Sequence, residues 1–208
     1  MKTHDAAASE TKPYHHGDLR RGLLESAAAI LEREGPSALS LRAVAREAGV
    51  SPAAPYYHFR DKDELLAAIA REGFGQLKQA MEAACEGVGD PQEKVSAVGA
   101  AYVTFARAHP ALYRVMYDCA RSGADLPDSM DPDSAFMLVR NALAEAGGNH
   151  LSDTDVHLAA IATWCAAHGL AEMAAFKQFT HLKDACGGEE PFLRAIFNHM
   201  GLGPRHLR

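Results

Sequence analysis

One tryptophan, Trp164, and four cysteines stand in the whole chain, and no apolar run approaches the ~18 residues that a membrane-crossing helix needs. Cys85, Cys119, Cys165 and Cys186 lie far apart and form no CxxC, so they are expected to be thiols, most of them small core residues. There is no sustained apolar–polar alternation and no internal repeat, which argues against strands and solenoids. The G-x-S-x-G elbow, the phosphate-binding glycine loop, H-E-x-x-H and the dinucleotide glycine fingerprint are all missing, so no reaction class has a motif here and neither an enzyme nor a cofactor is expected. Met1 to Lys12 is polar and has no apolar signal-peptide core, so the expected location is the cytoplasm and the expected partners include no membrane.

What is present is unevenly charged. Residues 1–62 carry 9 Lys+Arg against 8 Asp+Glu, whereas 63–208 carry 12 against 19, so a net charge of −6 divides into +1 and −7. A near-neutral head on an acidic body fits contact with nucleic acid by one face, not a protein that coats it.

Punctuation by glycine and proline then cuts the chain into helices. Leu23, Leu24, Ala27, Ile30 and Leu31 share a face of a helix over 17–34 that Gly35-Pro36 stops. Ser40 is an N-cap for 41–48, Gly49 supplies the positive φ of a turn, and Val50 plugs it. Ser51 caps the next helix, with Pro52 in its first position. A long helix runs from Lys62 to Cys85, followed by helices over 92–108, 110–117, 134–146, 153–180 and 191–200. Residues 118–133 and 183–191 are connections. The expectation is an all-α chain of about nine helices, with a flexible arm over 1–13, a helix-turn-helix domain over 14–62 that continues into helix 62–85, and a larger helical domain over 63–208.

Three blocks carry a more specific likeness: Tyr14-His15-His16-Gly17-Asp18-Leu19-Arg20, the helix-turn-helix from Leu39 to Ser51, and Tyr56-Tyr57-His58-Phe59-x-x-Lys62-x-x-Leu65. With them the chain resembles the TetR (tetracycline-repressor-like) family of bacterial transcription regulators. In the second half, Trp164-x-x-x-His168-Gly169-Leu170, with His109-Pro110-x-Leu112-Tyr113 upstream, is similar to a subgroup with a Trp…His-Gly motif in its regulatory domain. The resemblance implies a homodimer on a palindromic operator, repression, and release by a small molecule. One departure is Pro55, where the family often has an aliphatic residue; it removes a backbone donor from the opening turn of the recognition helix, which should be short with a rigid start.

Roles in the head follow residue by residue. Arg20, Arg21 and Arg42 lie near helix starts and suit phosphates, and the resemblance sets Tyr56, Tyr57 and Lys62 against the DNA backbone or groove. Ser40, Ser51, Ala53, Ala54, Tyr57 and His58 complete the expected DNA face; the two alanines offer only methyls, so sequence reading should lean on DNA shape. Phe59, Val44 and Leu65 read as core, with core the alternative reading of Tyr56, and Arg33 and Arg46 read as solvated.

The body has two expected tasks. Helix 153–180, lined by Ala159, Ala160, Ala162, Ala166, Ala167 and Gly169, and helix 191–200, with Phe192, Leu193, Ile196, Phe197 and Met200 on one face, suit a two-fold dimer interface. Tyr102, Phe105, His109, Tyr113, Met116, Phe136, Met137, Trp164 and His168 have the composition of a small-molecule cavity. A competing version is a metal- or redox-responsive regulator: His157, Cys165 and His168 share a stripe, though only Cys165 and His168 are close enough to hold one ion, with His109 and Cys119 completing it. Cys119 and Cys165 are the thiols such a redox sensor would oxidise. An undetected enzyme and a ligand carrier without DNA binding are the remaining alternatives.

Overall fold

A computed structural model describes residues 16–126 and 128–199 of the chain. Among them every regular element is helical, with nine α-helices: α1 His16–Glu34, α2 Leu41–Glu47, α3 Lys62–Cys85, α4 Pro91–Ala108, α5 Pro110–Ser122, α6 Ala135–Gly147, α7 Asp153–Met173, α8 Thr180–Ala185 and α9 Glu189–His199. Short 3-10 turns cover Ala54–Tyr57, Gly148–His150 and Lys177–Phe179. The chain divides into two compact units between Leu65 and Leu66. The arm 1–13, Tyr14, His15 and Met200 lie outside the described residues.

In the first unit, Leu23, Leu31, Leu39, Val44, Phe59 and Leu65 are all but completely buried, so the i, i+3, i+4 pattern of the sequence becomes one small core. Ser40 caps α2, its Oγ accepting from the Ala43 amide at 3.1 Å. At the other end Gly49, with φ +67, lets its own amide reach the Arg46 carbonyl (3.2 Å) and the Val50 amide reach the Ala45 carbonyl (2.9 Å). These two bonds to the last turn are the glycine-dependent helix stop that sets the angle of the following segment. Arg33 is exposed but not merely solvated: its guanidinium forks onto Glu47 at 3.1 and 3.0 Å, joining the ends of α1 and α2. That pairing holds the Glu47 carboxyl below its ordinary range.

The element after the turn differs from expectation. Instead of a helix opened by the Ser51 side chain with Pro52 at its first position, a single 3-10 turn spans Ala54–Tyr57, preceded by Ala53 and without a side-chain cap. Ser51 contributes its backbone carbonyl, which accepts from the Ala54 amide at 3.0 Å. Pro55 is buried in this turn. It has no N–H to give, and the Pro55 carbonyl accepts from both His58 (3.0 Å) and Phe59 (2.9 Å), which closes the segment after one turn.

In the second unit α4 is the central helix, packed against α6, α7 and α9. Ser96, Val98, Tyr102 and Val103 along it are buried. Gly99 brings α9 close: a Cβ there would lie 2.7 Å from three ring atoms of Phe197. Phe192, Leu193 and Phe197 are thereby buried inside the protomer, so the α9 face that the sequence reading sets across a two-fold axis is occupied by α4. Helix 153–180 is also not continuous. It ends at Met173, and the segment Lys177–Ala185 leaves at 104° to it. The Lys183 ammonium donates to the Ala174 carbonyl at 2.7 Å, satisfying the open end of α7, and Phe179 packs on Phe192. α5 continues past 117 to Ser122. Of the cysteines, Cys119 is buried and Cys85 partly so, but Cys165 and Cys186 are exposed, against the expectation of core thiols. Among the described residues no single helix is long and apolar enough to cross a membrane.

Candidate functional site

The exposed side of the first unit is built on the 3-10 turn. Tyr56 and Tyr57 are 53% and 84% exposed, too much for core aromatics, because the tight turn directs consecutive side chains away from the buried Pro55 and Phe59. Ser51 and Ala53 are exposed before them, and Ala54 and His58 are half-buried. The same unit carries the expected cations. Arg42 is exposed on α2; Arg20 is exposed and lies over the Phe59 ring at 5.5 Å; Arg21 is exposed beside Glu25 at 3.5 Å. Lys62 opens α3 and donates to the Pro36 carbonyl at 2.9 Å, which fixes the ammonium at a helix N-terminus. Ser40 is exposed, but its hydroxyl serves the α2 amide.

The nine expected cavity residues of the second unit are divided among three cavities or lie outside them, as far as the described residues go. Phe136 and Trp164 line a cavity of about 530 Å³ together with Arg71, Phe74, Lys78, Tyr117 and Asp133. Tyr113 and His168 line a second, of about 460 Å³, with Arg107, Arg114, Arg121 and Glu172. Phe105 and exposed His109 line a third, of about 720 Å³, with alanines of α3 and α4. Tyr102 and Met116 are all but completely buried and line none of these; Met116 fills the space over Gly73. Met137 is half-buried in the first turn of α6, where its backbone amide donates to the Ser134 hydroxyl at 3.1 Å.

Tyr117, which lines both the first and the second cavity, is the residue that sequence reasoning misses. Its hydroxyl bonds that of Tyr102, which lies 3.0 Å from the Tyr113 hydroxyl, and Tyr113 in turn bonds His168 Nδ1. Each phenol has one proton, so Tyr117 donating to Tyr102, Tyr102 to Tyr113 and Tyr113 to an accepting Nδ1 serves these three bonds, and the Tyr102 hydroxyl also lies 3.3 Å from that Nδ1. Trp164 packs edge-on against Tyr102 (5.0 Å) and Phe136 (5.8 Å). Burial pushes all three phenols up, Tyr117 to about 12 and Tyr102 and Tyr113 further, so these hydroxyls are neutral at physiological pH. His168 thus faces phenols, while Cys165, one turn away, is exposed. Among the described residues no three His, Cys, Asp or Glu side chains are grouped to hold a metal ion.

Two family descriptions match this chain. Residues 23–69 match "Bacterial regulatory proteins, tetR family", and residues 95–195 match "Tetracyclin repressor-like, C-terminal domain". A curated relative, the HTH-type transcriptional regulator BetI of Rhizobium meliloti, is 35% identical over 79 residues, which are 38% of this chain and only 39% of that protein. Over nearly the full length, a solved structure of a protein of unknown function from Rhodococcus sp. RHA1 is 33% identical, with a TM-score of 0.71 and 92% of this chain and 97% of that one covered. The TetR family transcriptional regulator PfmR from Thermus thermophilus shares the fold at 23% identity, with a TM-score of 0.58 and coverage of 87% and 97%. The helix-turn-helix head, the all-helical body and both family matches agree: the chain belongs to the TetR family of bacterial transcriptional regulators.

Proposed function

We propose that this protein is a homodimeric repressor that binds a palindromic operator and is released from it by a small molecule held in the second unit. The observation that carries the DNA-binding half is the exposed pair Tyr56 and Tyr57 on the 3-10 turn of a unit that also exposes Arg20, Arg21 and Arg42. Arg20, Arg21, Arg42 and Lys62 take phosphates, and Ser51, Ala53, Ala54, Tyr57 and His58 meet the groove. With only methyls at Ala53 and Ala54, DNA shape contributes much of the specificity. Residues 14–62 make up the DNA-binding domain, residues 63–208 the dimerisation and effector domain, and α3 is the covalent link between them.

Dimerisation is supported by α7. Leu158 (60% exposed), Ile161 (51%), Cys165, Gly169 and Met173 (46%) form one stripe at helical spacing that the described residues of the protomer leave open. An exposed stripe so apolar is the mark of an interface. Since α9 turns its aromatic face inward, its share of the dimer is the other face, with Pro191 and Ala195. The Trp164…His168-Gly169 motif, by which we assign the chain to its subgroup, then has a structural role: His168 ends the phenol chain and Trp164 walls the cavity. An effector in that cavity shifts α3 and with it the spacing of the two heads, about 34–36 Å when they engage successive major grooves. A coupling of ~1–3 kcal/mol changes operator affinity about five- to 150-fold. The test is binding of the purified protein to DNA from its own promoter region across salt concentrations. Affinity falling steeply and linearly in log salt supports a multi-phosphate contact. Flat salt dependence would refute it.

A further inference from the structure

The 530 Å³ cavity has a charge asymmetry that narrows its ligand. Arg71, Phe74, Gly75 and Lys78 recur at i, i+3, i+4 and i+7, so one face of α3 forms a wall. Phe74 on that wall and Tyr117, Phe136 and Trp164 beyond it give the lining four aromatic rings, set among small residues such as Ala120, Ala124 and Ala135. Two cations and one anion line it. Lys78 is neutralised by Asp133 at 3.2 Å and by Glu82 at 3.4 Å. Arg71 is not: its guanidinium donates to the backbone carbonyl of Asp125, and no carboxylate among the described residues pairs with it. A planar, permanently charged fork with only a neutral acceptor, beside an aromatic chamber, matches a carboxylate on an apolar body.

We infer that this cavity takes a monoanionic amphipathic molecule, an aromatic or medium-chain acyl carboxylate, whose carboxylate replaces the Asp125 carbonyl on Arg71 while its body lies among Phe74, Phe136 and Trp164. The inference rests on the reading of this cavity as the effector site. A volume of 530 Å³ lies within the range of about 300–1,000 Å³ usual for small-molecule sites. With Lys78 already balanced by Asp133 and Glu82, an organic cation would set a second positive charge beside Arg71, and a neutral amide would leave the fork with no gain over the carbonyl it already has.

Trp164 is the chain's only tryptophan and lines the cavity, so its fluorescence reports this site without a label. Full-length protein is titrated with octanoate and 4-phenylbutyrate, and in parallel with octanamide and octylammonium. The expected result is a saturable Trp164 response to the two carboxylates at concentrations about tenfold to a hundredfold below octanamide, the usual weight of a charge-assisted hydrogen bond. Arg71→Gln should remove that difference and leave octanamide binding as it was. Arg71→Lys, keeping charge but not the fork, should lose part of it. Octanamide binding and an unchanged ligand-free melting temperature certify that the variants are folded. If octanamide or octylammonium binds as well as octanoate, the anion assignment is overturned while the cavity stands as a ligand site. If none of the four perturbs Trp164, the cavity reading fails and the anion inference with it.

Discussion

At the scale of single residues, the body is organised by phenols and the head by one ammonium. Tyr117 ionises at about 12 in the folded protein against an ordinary ~10 when unfolded. Its folded value is raised, so its contribution to stability is complete below pH ~10 and is lost as pH climbs toward 12. Alkaline denaturation followed by circular dichroism should therefore show stability falling from about pH 10. Tyr117→Phe should make that fall shallower; an identical alkaline profile in the variant would mean that the phenol is not buried in the chain of hydroxyls. Tyr117 is not legible in the sequence because no stop or continuation signal stands there: the helix is expected to end at that residue, although α5 runs to Ser122. Arg71 escapes for a related reason, since a cation on a long amphipathic helix reads as solvated until the wall opposite it is known. In the head, Lys62 is held by the Pro36 carbonyl at 2.9 Å. Lys62→Ala should weaken binding to all DNA sequences alike and lower the salt slope by about one. A changed sequence preference with an unchanged slope would assign Lys62 to base reading instead.

At the scale of elements, what periodicity and punctuation encode is readable along the chain and what tertiary contacts impose is not. α1, α2, α3 and α4 follow their apolar faces and their Ser, Gly and Pro boundaries closely. Two of the elements that differ are instructive. Pro55 signals a short recognition element, but only packing decides that the segment tightens into a 3-10 turn around its buried ring. The break after Met173 has no glycine or proline; it depends on Lys183 reaching back to the Ala174 carbonyl and on the Phe179–Phe192 contact, neither visible along the chain. Gly99 gives a test of packing against propensity. Replacing a mid-helix glycine by alanine ordinarily gains ~1 kcal/mol. Here the new Cβ would meet the Phe197 ring at 2.7 Å, so Gly99→Ala should instead destabilise by ~1–3 kcal/mol in urea unfolding. A stabilised variant would show that α4 and α9 are not in such close contact.

At the scale of the whole molecule, the account requires two copies, because a half-site bound by a single small head has too few phosphate and base contacts for operator specificity. In the proposed dimer that requirement falls on Leu158 and Ile161 of the exposed α7 stripe. Ile161→Glu puts two unpaired carboxylates at the two-fold interface and should weaken the dimer by about a hundredfold or more in sedimentation equilibrium, while the protomer's fold is unaffected because the side chain is 51% exposed. An unshifted dimer would move the interface off this stripe. The central claim, a dimeric regulator reading a two-fold DNA site, is tested most directly by selecting bound sequences from a random duplex library with the purified full-length protein. The account predicts an enriched palindrome with half-site centres about 10 base pairs, or a multiple of that, apart. Selection of a single asymmetric element, or no enrichment at low salt from a protein shown to be dimeric, would contradict it.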